Sequence, residues 1–272
     1  MLYLIGLGLG NEKDITINGL EAVKECDVVY LENYTSRLQC DVSKLEKLYG
    51  KKIILAERCD IEGEESKGKN PILENAKAKI KDEKTGKERT KKVALLVIGD
   101  PMGATTHTDM LLRCKRLEIE FKVIHNVSIL NAVGIVGLEL YKYGKTTSIP
   151  FPEPNFQPET AYDVYKLNKR NDMHTLCLLD LRPSEERFMT VNDGIKIILD
   201  IGKKRVKDKI EKKALFREDT FCIGCARIGS DNFIKAGKAK DLLDVDFGKP
   251  PHCLIIPGKL HFVEEDAMKL WE

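Results

Sequence analysis

The sequence predicts an α/β protein with two subdomains: an N-terminal, mostly parallel sheet with flanking helices and a C-terminal α+β unit with a mixed sheet. Strand and helix patterns alternate before residue 125, prolines cluster at 150–158, and the two patterns then mix without strict alternation. A chain of 272 residues is long enough for one large α/β domain or two smaller ones. We place the subdomains at 1–125 and 126–272.

In the first subdomain, strands are predicted from uninterrupted apolar runs, which are typical of buried parallel strands. A helix is expected after Asp14 or Thr16, another after Thr105 or Thr106, and a third from Asn126 or Ser128 to about Tyr141. The predicted strands are Leu2–Leu7, Asp27–Leu31, Lys52–Ala56, Val93–Ile98 and Glu120–Ile124.

A charged segment at about 63–92 interrupts this alternation. It is rich in lysine and glutamate and has few large apolar residues, so we expect a partly helical, solvated or mobile insertion. The second subdomain carries strand patterns at Thr175–Leu181, Thr220–Ile228 and His252–Pro257, and helix patterns at Ala161–Asn171 and Val191–Lys212.

Composition excludes several classes of function. The net charge of +2 does not indicate a nucleic-acid-binding protein. No apolar run approaches the roughly 18 residues of a membrane span, and no secretory signal is evident, so we expect a cytoplasmic protein that binds neither nucleic acid nor membrane directly. The eight cysteines are scattered, which predicts free thiols in a reducing compartment.

No metal site is predicted. Cys222 and Cys225 form a C-x-x-C pair, but the segment reads as a strand, where residues three apart point to opposite faces. The five histidines are not spaced as paired metal ligands.

A glycine-rich loop follows the first strand. Gly6, Gly8 and Gly10 have the spacing G-x-G-x-G, whereas a dinucleotide loop has G-x-G-x-x-G. Glycines there let a ligand approach the backbone and leave amides that could meet an anion. Glu32, at the end of the second strand, lies where a nicotinamide enzyme would have its ribose-binding acid. The motif therefore leaves open a nucleotide-type ligand or a plain tight turn.

Two further loops are candidates for chemistry. The loop at 99–107 carries Asp100 at a strand end, and a carboxylate suits the hydroxyls and amine of an adenosyl cofactor better than it suits phosphate. The segment 126–134 offers Ser128 as a helix N-cap. Neither segment requires a ligand: the first could be a plain capped turn, and the second a capped helix of the core. Because ligands of parallel sheets lie beyond the carboxyl ends of the strands, we expect a ligand at this edge.

Several segments stand out in order along the chain: MLYLIGLGLG with the following DITINGL, GDPMGATTH, HNVSILNAVG, MHTLCLLD and CARIG. Together they closely resemble the diphthine synthases, a family within the tetrapyrrole-methylase-like class III methyltransferases. The resemblance extends in order over nearly the whole chain. It implies two α/β subdomains with a cofactor cleft between them, a homodimer and S-adenosylmethionine as cofactor.

The family's cofactor contacts match single positions of this chain. One of these contacts falls at Ile228, and a small shift of the alignment would move it to Ala226 or Arg227. No catalytic residue is singled out by the sequence. The resemblance implies cofactor contacts at Leu9, Asp100, Gly103, Ser128, Ile129, Leu179, Ile228 and His252.

The resemblance also implies a protein substrate, the diphthamide precursor on translation elongation factor 2. The segments HNVSILNAVG and MHTLCLLD look more eukaryotic than archaeal, which implies four methyl transfers, three to the amine and one to a carboxylate, giving diphthine methyl ester. The archaeal reaction stops at three. Two departures from the family pattern are a longer lysine-rich stretch near Ile80–Lys92 and a shorter segment at Arg182–Arg187.

Other functions remain as alternatives. A nicotinamide oxidoreductase would use Gly6–Gly10 and Glu32. A tetrapyrrole methylase is the nearest enzymatic rival, and a non-catalytic translation-factor-binding protein would keep the fold without the cofactor loops.

Overall fold

A computed structural model describes residues 1–34, 38–62, 70–82 and 85–272. The chain divides into two compact units, Met1–Leu130 and Asn131–Glu272. The division lies slightly beyond the boundary that we placed after residue 125, so the segment 126–130 belongs with the first unit.

The first unit is built on a parallel sheet with strand order β3-β2-β6-β1-β7. The predicted strands are found, each with its ends within a residue or two of the expected positions. The α/β class with a parallel sheet and a separate mixed sheet is confirmed. The elements are β1 (Leu2–Gly6), α1 (Ile17–Glu25), β2 (Val28–Glu32), α2 (Val42–Tyr49), β3 (Ile53–Ala56), α3 (Arg58–Glu62), α4 (Pro71–Lys77), β4 (Lys79–Lys81), β5 (Glu88–Thr90), β6 (Val93–Val97), α5 (Thr108–Arg116), β7 (Phe121–Ile124) and α6 (Ile129–Ala132).

Both faces of this sheet are covered, which explains its apolar runs. Along β1, Leu2 and Leu4 belong to one buried cluster, whereas Tyr3 and Ile5 belong to the other. Successive side chains of a strand point to opposite faces, so a strand with a core on each side needs apolar residues throughout.

The charged segment at 63–92 is partly helical, as predicted, but its helix is not fully solvated. Helix α4 buries Ile72, Leu73 and Ala76 in a core of the first unit. Asn70 caps this helix by accepting a hydrogen bond from the Leu73 amide. Strands β4 and β5 form an antiparallel hairpin with mostly exposed side chains. Residues 63–69 and 83–84 lie outside the described residues.

Three helix predictions were wrong in detail. The helix predicted at Val191–Lys212 ends at Lys207. Neither Thr105 nor Thr106 caps α5: His107 is at the N-cap, and Thr105 Oγ1 donates instead to the Pro101 carbonyl at 2.7 Å. The helix expected to reach Tyr141 is broken into α6 and short 3₁₀ turns, the first of which ends at Gly137 with φ +91°. A Cβ on Gly137 would lie 2.4 Å from Ala267 Cβ, so close packing fixes this break.

The second unit has a mixed sheet with order β13-β12-β14-β9-β8, in which β8 and β9 are parallel and the other pairs antiparallel. Its core lies largely between this sheet and α7, α8 and α9. Strands β8 and β13 were not predicted. The elements are β8 (Thr147–Ile149), α7 (Thr160–Arg170), β9 (Thr175–Leu179), β10 (Leu181–Arg182), β11 (Arg187–Phe188), α8 (Val191–Lys207), β12 (Phe221–Ala226), β13 (Phe233–Lys238), α9 (Ala239–Leu242), β14 (His252–Ile256) and α10 (Phe262–Met268).

Within the described ranges, none of the helices has both the length and the apolar character that a membrane crossing requires.

Candidate functional site

The loops after β1, β6 and β7 meet at one edge of the first unit's sheet, because these neighbouring strands are parallel. The first two loops are joined directly. Gly8 N donates to Gly99 O at 3.2 Å, and Gly99 N donates to Gly8 O at 2.8 Å. Their φ angles of +77° and +82° lie in the left-handed region, which requires glycine at both positions of this junction.

The glycine loop does not cradle an anion through these amides. The Gly8 amide is bonded to Gly99, and the Gly10 amide donates to Asp14 Oδ2 at 2.7 Å. The Asp14 carboxylate would also repel a phosphate placed there. The glycines therefore serve the close approach of two loops, which argues against a dinucleotide.

Glu32 does not lie on an open surface where a ribose could bind. Its exposed fraction is 2%, and its Oε2 lies 3.5 Å from Nε2 of His107, which is also buried. A nicotinamide cofactor would therefore find neither an accessible ribose-binding acid at Glu32 nor free amides for its phosphates in the glycine loop.

The Asp100 side chain makes three polar contacts at this edge. Its Oδ1 accepts from the Met102 amide at 2.8 Å. Its Oδ2 accepts from the Asn126 amide at 2.9 Å and lies 2.9 Å from Nδ1 of His125. Burial alone would raise the pKa of Asp100, but these hydrogen bonds outweigh burial and lower it. Asp100 is thus a fixed, charged carboxylate at neutral pH.

Asn126 holds the three loops together, and sequence reasoning considered it only as a helix start. Its Nδ2 donates to the carbonyls of Gly6 at 2.9 Å and Asp14 at 3.0 Å. Its Oδ1 accepts from the Val127 amide at 2.7 Å. A Cβ on Gly6 would lie 2.7 Å from Asn126 Cβ, so the small residue makes room for this contact.

Five of the expected cofactor residues converge on this edge. A Cβ on Gly103 would lie 2.5 Å from the Oγ of Ser128, so the second and third loops are in close contact. Ser128 is buried and accepts from the Leu130 amide at 3.3 Å. Leu9 and Ile129 are half-buried. The first unit therefore gathers Leu9, Asp100, Gly103, Ser128 and Ile129.

The remaining three expected residues gather at one edge of the second unit's sheet. β14 is antiparallel to β9 and β12, so its first residue, His252, lies near the ends of those strands, where Leu179 and Ile228 are found. The Leu179 side chain packs against α8: a Cβ on Gly194 of this helix would lie only 2.9 Å from Leu179 Cδ2. Any ligand contact of Leu179 would therefore come from its backbone.

His252 offers a buried acceptor. Its Nε2 lies 3.2 Å from Gly248 O and 3.1 Å from Lys249 O. Carbonyls only accept, so Nε2 carries the proton. Burial lowers the pKa of His252, which keeps the ring neutral and leaves Nδ1 as an acceptor. This buried Nδ1 has no partner among the described residues, and an amino or hydroxyl group of a ligand would satisfy it.

Arg227, the alternative to Ile228, is committed to the protein itself. Its guanidinium donates to the carbonyls of Asp231, Phe247 and Lys249 at 2.9, 2.9 and 2.6 Å. The side chain thereby joins the turn after Ile228 to the loop before His252. A sequence offers no signal for such a role, because the acceptors are backbone atoms.

The cysteines form no second site. All eight are free thiols, and Cys225 lies opposite Cys253 in the β12–β14 register. Burial raises the pKa of Cys222 to about 12, which makes it unreactive at neutral pH. In the part of the chain that the structure describes, no group of His, Cys, Asp or Glu is arranged to hold a metal ion.

Comparison with known proteins identifies the family. Residues 1–232 match the model of the Tetrapyrrole (Corrin/Porphyrin) Methylases. Diphthine methyl ester synthases from Dictyostelium discoideum and Homo sapiens are 44% and 43% identical over 98% and 100% of this chain, which correspond to 96% and 95% of their own lengths.

An archaeal relative and a solved structure agree with this result. Diphthine synthase from Methanocaldococcus jannaschii is 45% identical over 99% of this chain and 98% of its own. A crystal structure of diphthine synthase superposes with a TM-score of 0.83 at 34% identity, covering 99% of this chain and 95% of that one. The chain therefore belongs to the tetrapyrrole methylase family, within it to the diphthine synthases, and is a methyltransferase.

Proposed function

We propose that this methyltransferase uses S-adenosylmethionine to methylate the diphthamide precursor on translation elongation factor 2, in four transfers that give diphthine methyl ester. The observation that carries the proposal is the convergence of the three motif loops around the fixed Asp100 carboxylate, in a chain whose relatives are diphthine and diphthine methyl ester synthases. We further propose that it acts in the cytoplasm as a homodimer.

The residues present fit this cofactor. Asp100 suits hydroxyl and ammonium groups, and the engaged amides of Gly8 and Gly10 leave no phosphate cradle there. In the second unit, His252 Nδ1 is a buried acceptor. We assign cofactor contacts to Leu9, Asp100, Gly103, Ser128 and Ile129 of the first unit and to Leu179, Ile228 and His252 of the second.

The chain's own contribution is mainly positioning. When bound, the cofactor supplies an activated methyl group on a sulfonium. Asp100, held by two backbone amides, is charged and fixed before any ligand arrives. Preorganised groups of this kind lower the cost of aligning the reactants. The substrate amine must lose a proton before each methylation, whereas a substrate carboxylate is already deprotonated.

The number of methyl groups is the finer part of the proposal. Relatives with both names match at nearly the same identity, 45% for the archaeal diphthine synthase and 44% for a diphthine methyl ester synthase. Overall similarity therefore does not separate three transfers from four. We base the choice of four on the two segments with eukaryotic character, HNVSILNAVG and MHTLCLLD.

A single incubation tests the proposal. The chain, labelled S-adenosylmethionine and elongation factor 2 bearing the unmethylated precursor should give labelled elongation factor, and its intact mass should increase by four methyl groups. Three added groups would refute the ester step alone. No label on the elongation factor, or label on a tetrapyrrole offered in parallel, would refute the protein substrate. Asp100→Ala should weaken cofactor binding in calorimetry, with Lys122→Ala, an exposed change on β7, as control.

A further inference from the structure

His125 directly follows β7, at the edge of the first unit's sheet where the three motif loops meet. Its side chain is 68% exposed, and its Nδ1 lies 2.9 Å from Asp100 Oδ2. The sequence places the two residues far apart, so neither composition nor spacing marked them as a pair. The structure joins an accessible imidazole to the charged carboxylate.

Asp100 determines which ring nitrogen of His125 carries the proton. A carboxylate can only accept a hydrogen bond, so Nδ1 is the protonated nitrogen of the neutral ring. Nε2 then carries the free lone pair. The carboxylate is itself held by the Met102 and Asn126 amides at 2.8 and 2.9 Å. A carboxylate that orients a histidine in this way is a recurring arrangement for a general base.

The first unit offers no comparable second imidazole. Its sequence contains two histidines, both within the described ranges, and the other is His107. His107 is 1% exposed, and its Nδ1 lies 3.1 Å from the Pro101 carbonyl. A group on a protein substrate could reach His125 without rearrangement, whereas His107 is covered.

We propose that Nε2 of His125 accepts the proton of the substrate amine, with Asp100 as its positioning residue. The assignment rests on the proposed function. In each amine methylation, the substrate ammonium gives one proton to Nε2. The nitrogen lone pair then forms the bond to the methyl carbon, while the carbon–sulfur bond breaks and its electron pair stays on sulfur. Solvent takes the proton from His125 before the next transfer.

A general base at His125 should affect methylation of the amine but not methylation of the carboxylate. Three amine methylations each release one proton, whereas methylation of a carboxylate releases none. A general base therefore matters for the amine steps and not for the ester step. A residue that only supports the fold or the cofactor would affect both alike.

The test uses His125→Gln and His125→Asn, which keep an amide near the ring's position but have no basic nitrogen. With unmethylated precursor, both should lose about 100-fold or more in the rate of amine methylation, the usual contribution of a general base. With elongation factor already carrying the trimethylated amine, both should add the ester methyl at the wild-type rate. Their calorimetric affinity for S-adenosylhomocysteine should be unchanged, and Lys122→Ala serves as the surface control.

Chemical rescue gives an independent result. Free imidazole should restore amine methylation to His125→Ala and leave Lys122→Ala unaffected. Wild-type amine rates in the Gln and Asn variants, equal loss of both kinds of transfer, or no rescue would overturn the assignment of His125 alone. No methyl transfer by the wild-type chain would overturn the proposed function and this assignment together. If the wild-type chain forms no ester, the amine methylation rates of the His125 variants and the imidazole rescue still test the assignment of His125.

Discussion

Glu264 in α10 anchors the end of the second unit, and we expect its replacement by glutamine to destabilise that unit strongly. The carboxylate is 1% exposed. Its Oε1 accepts from the Glu139 amide at 3.0 Å and from His174 Nε2 at 2.9 Å. Its Oε2 accepts from the His261 amide at 2.8 Å and from the Lys142 ammonium.

The magnitude follows from the proton equilibrium of this carboxyl. Burial alone would raise the pKa of Glu264, but hydrogen bonds from Lys142, Glu139, His261 and His174 lower it from 4.5 to about 2. At about 1.4 kcal/mol per pKa unit, ionised Glu264 contributes about 3 kcal/mol to the free energy of unfolding. Because the pKa is lowered on folding, this contribution is full above pH 4.5 and is lost as the pH falls toward 2.

His174 acts in the same direction. Its Nδ1 accepts from the Gly258 amide at 3.0 Å, so Nε2 carries the proton that it donates to Glu264. Burial lowers the pKa of His174 below 6.5, and the folded unit therefore prefers the neutral ring. Stability should begin to fall as the pH drops through 6.5, before Glu264 titrates.

Denaturation monitored through Trp271 measures this prediction. Trp271 is the single tryptophan of the chain, and its Nε1 donates to Val136 O within the second unit. At neutral pH, Glu264→Gln should lower the free energy of unfolding by roughly 3–5 kcal/mol, as expected when one partner of a buried ion pair is removed. The difference from wild type should narrow toward pH 2. Glu265→Gln, an exposed neighbour, is the control.

Two results would refute this reasoning. One is a Glu264→Gln variant that is as stable as Glu265→Gln at neutral pH. The other is a difference from wild type that stays constant between pH 4.5 and pH 2, because the cost would then not depend on the ionised carboxylate.

Three further predictions concern the candidate site. Asn126→Ala removes the donor to two loop carbonyls. At roughly 1 kcal/mol per hydrogen bond, the free energy of unfolding measured by denaturation should fall by about 2 kcal/mol, and cofactor binding should weaken. In Gly103→Ala the new Cβ would lie 2.5 Å from Ser128 Oγ, and a strain of about 1.4 kcal/mol would reduce the cofactor affinity measured by calorimetry about tenfold. Gly237→Ala is the control, because its Cβ would lie 3.7 Å from the nearest atom, Leu242 Cδ2, and should leave the affinity unchanged. Arg227→Lys should lower cofactor affinity more than stability, since lysine cannot reproduce three carbonyl contacts. Wild-type cofactor affinity in a variant would contradict the cofactor contact assigned to Gly103, or the positioning of the cofactor loops assigned to Asn126 and Arg227.

The elements that the sequence predicted best are those with both faces buried. β1 and β6 are apolar throughout because a core lies on each side, and their bounds were predicted almost to the residue. β13 was missed, since its sequence FIKAGK is only partly buried and carries two lysines and a glycine. The helix expected to reach Tyr141 failed for a tertiary reason, the contact of Gly137 with Ala267.

The sequence by itself determined that Asp100 stands at the end of a buried strand and that glycine loops accompany it, because apolar runs and turn residues are local signals. It also carried the family resemblance. Only the tertiary structure decided how these loops meet. β1 lies between β6 and β7, so Asn126 crosses the end of β1 to bond Gly6 and reaches Asp100 beyond it. The pairing of His125 with Asp100 depends on the same strand order, which no local pattern encodes.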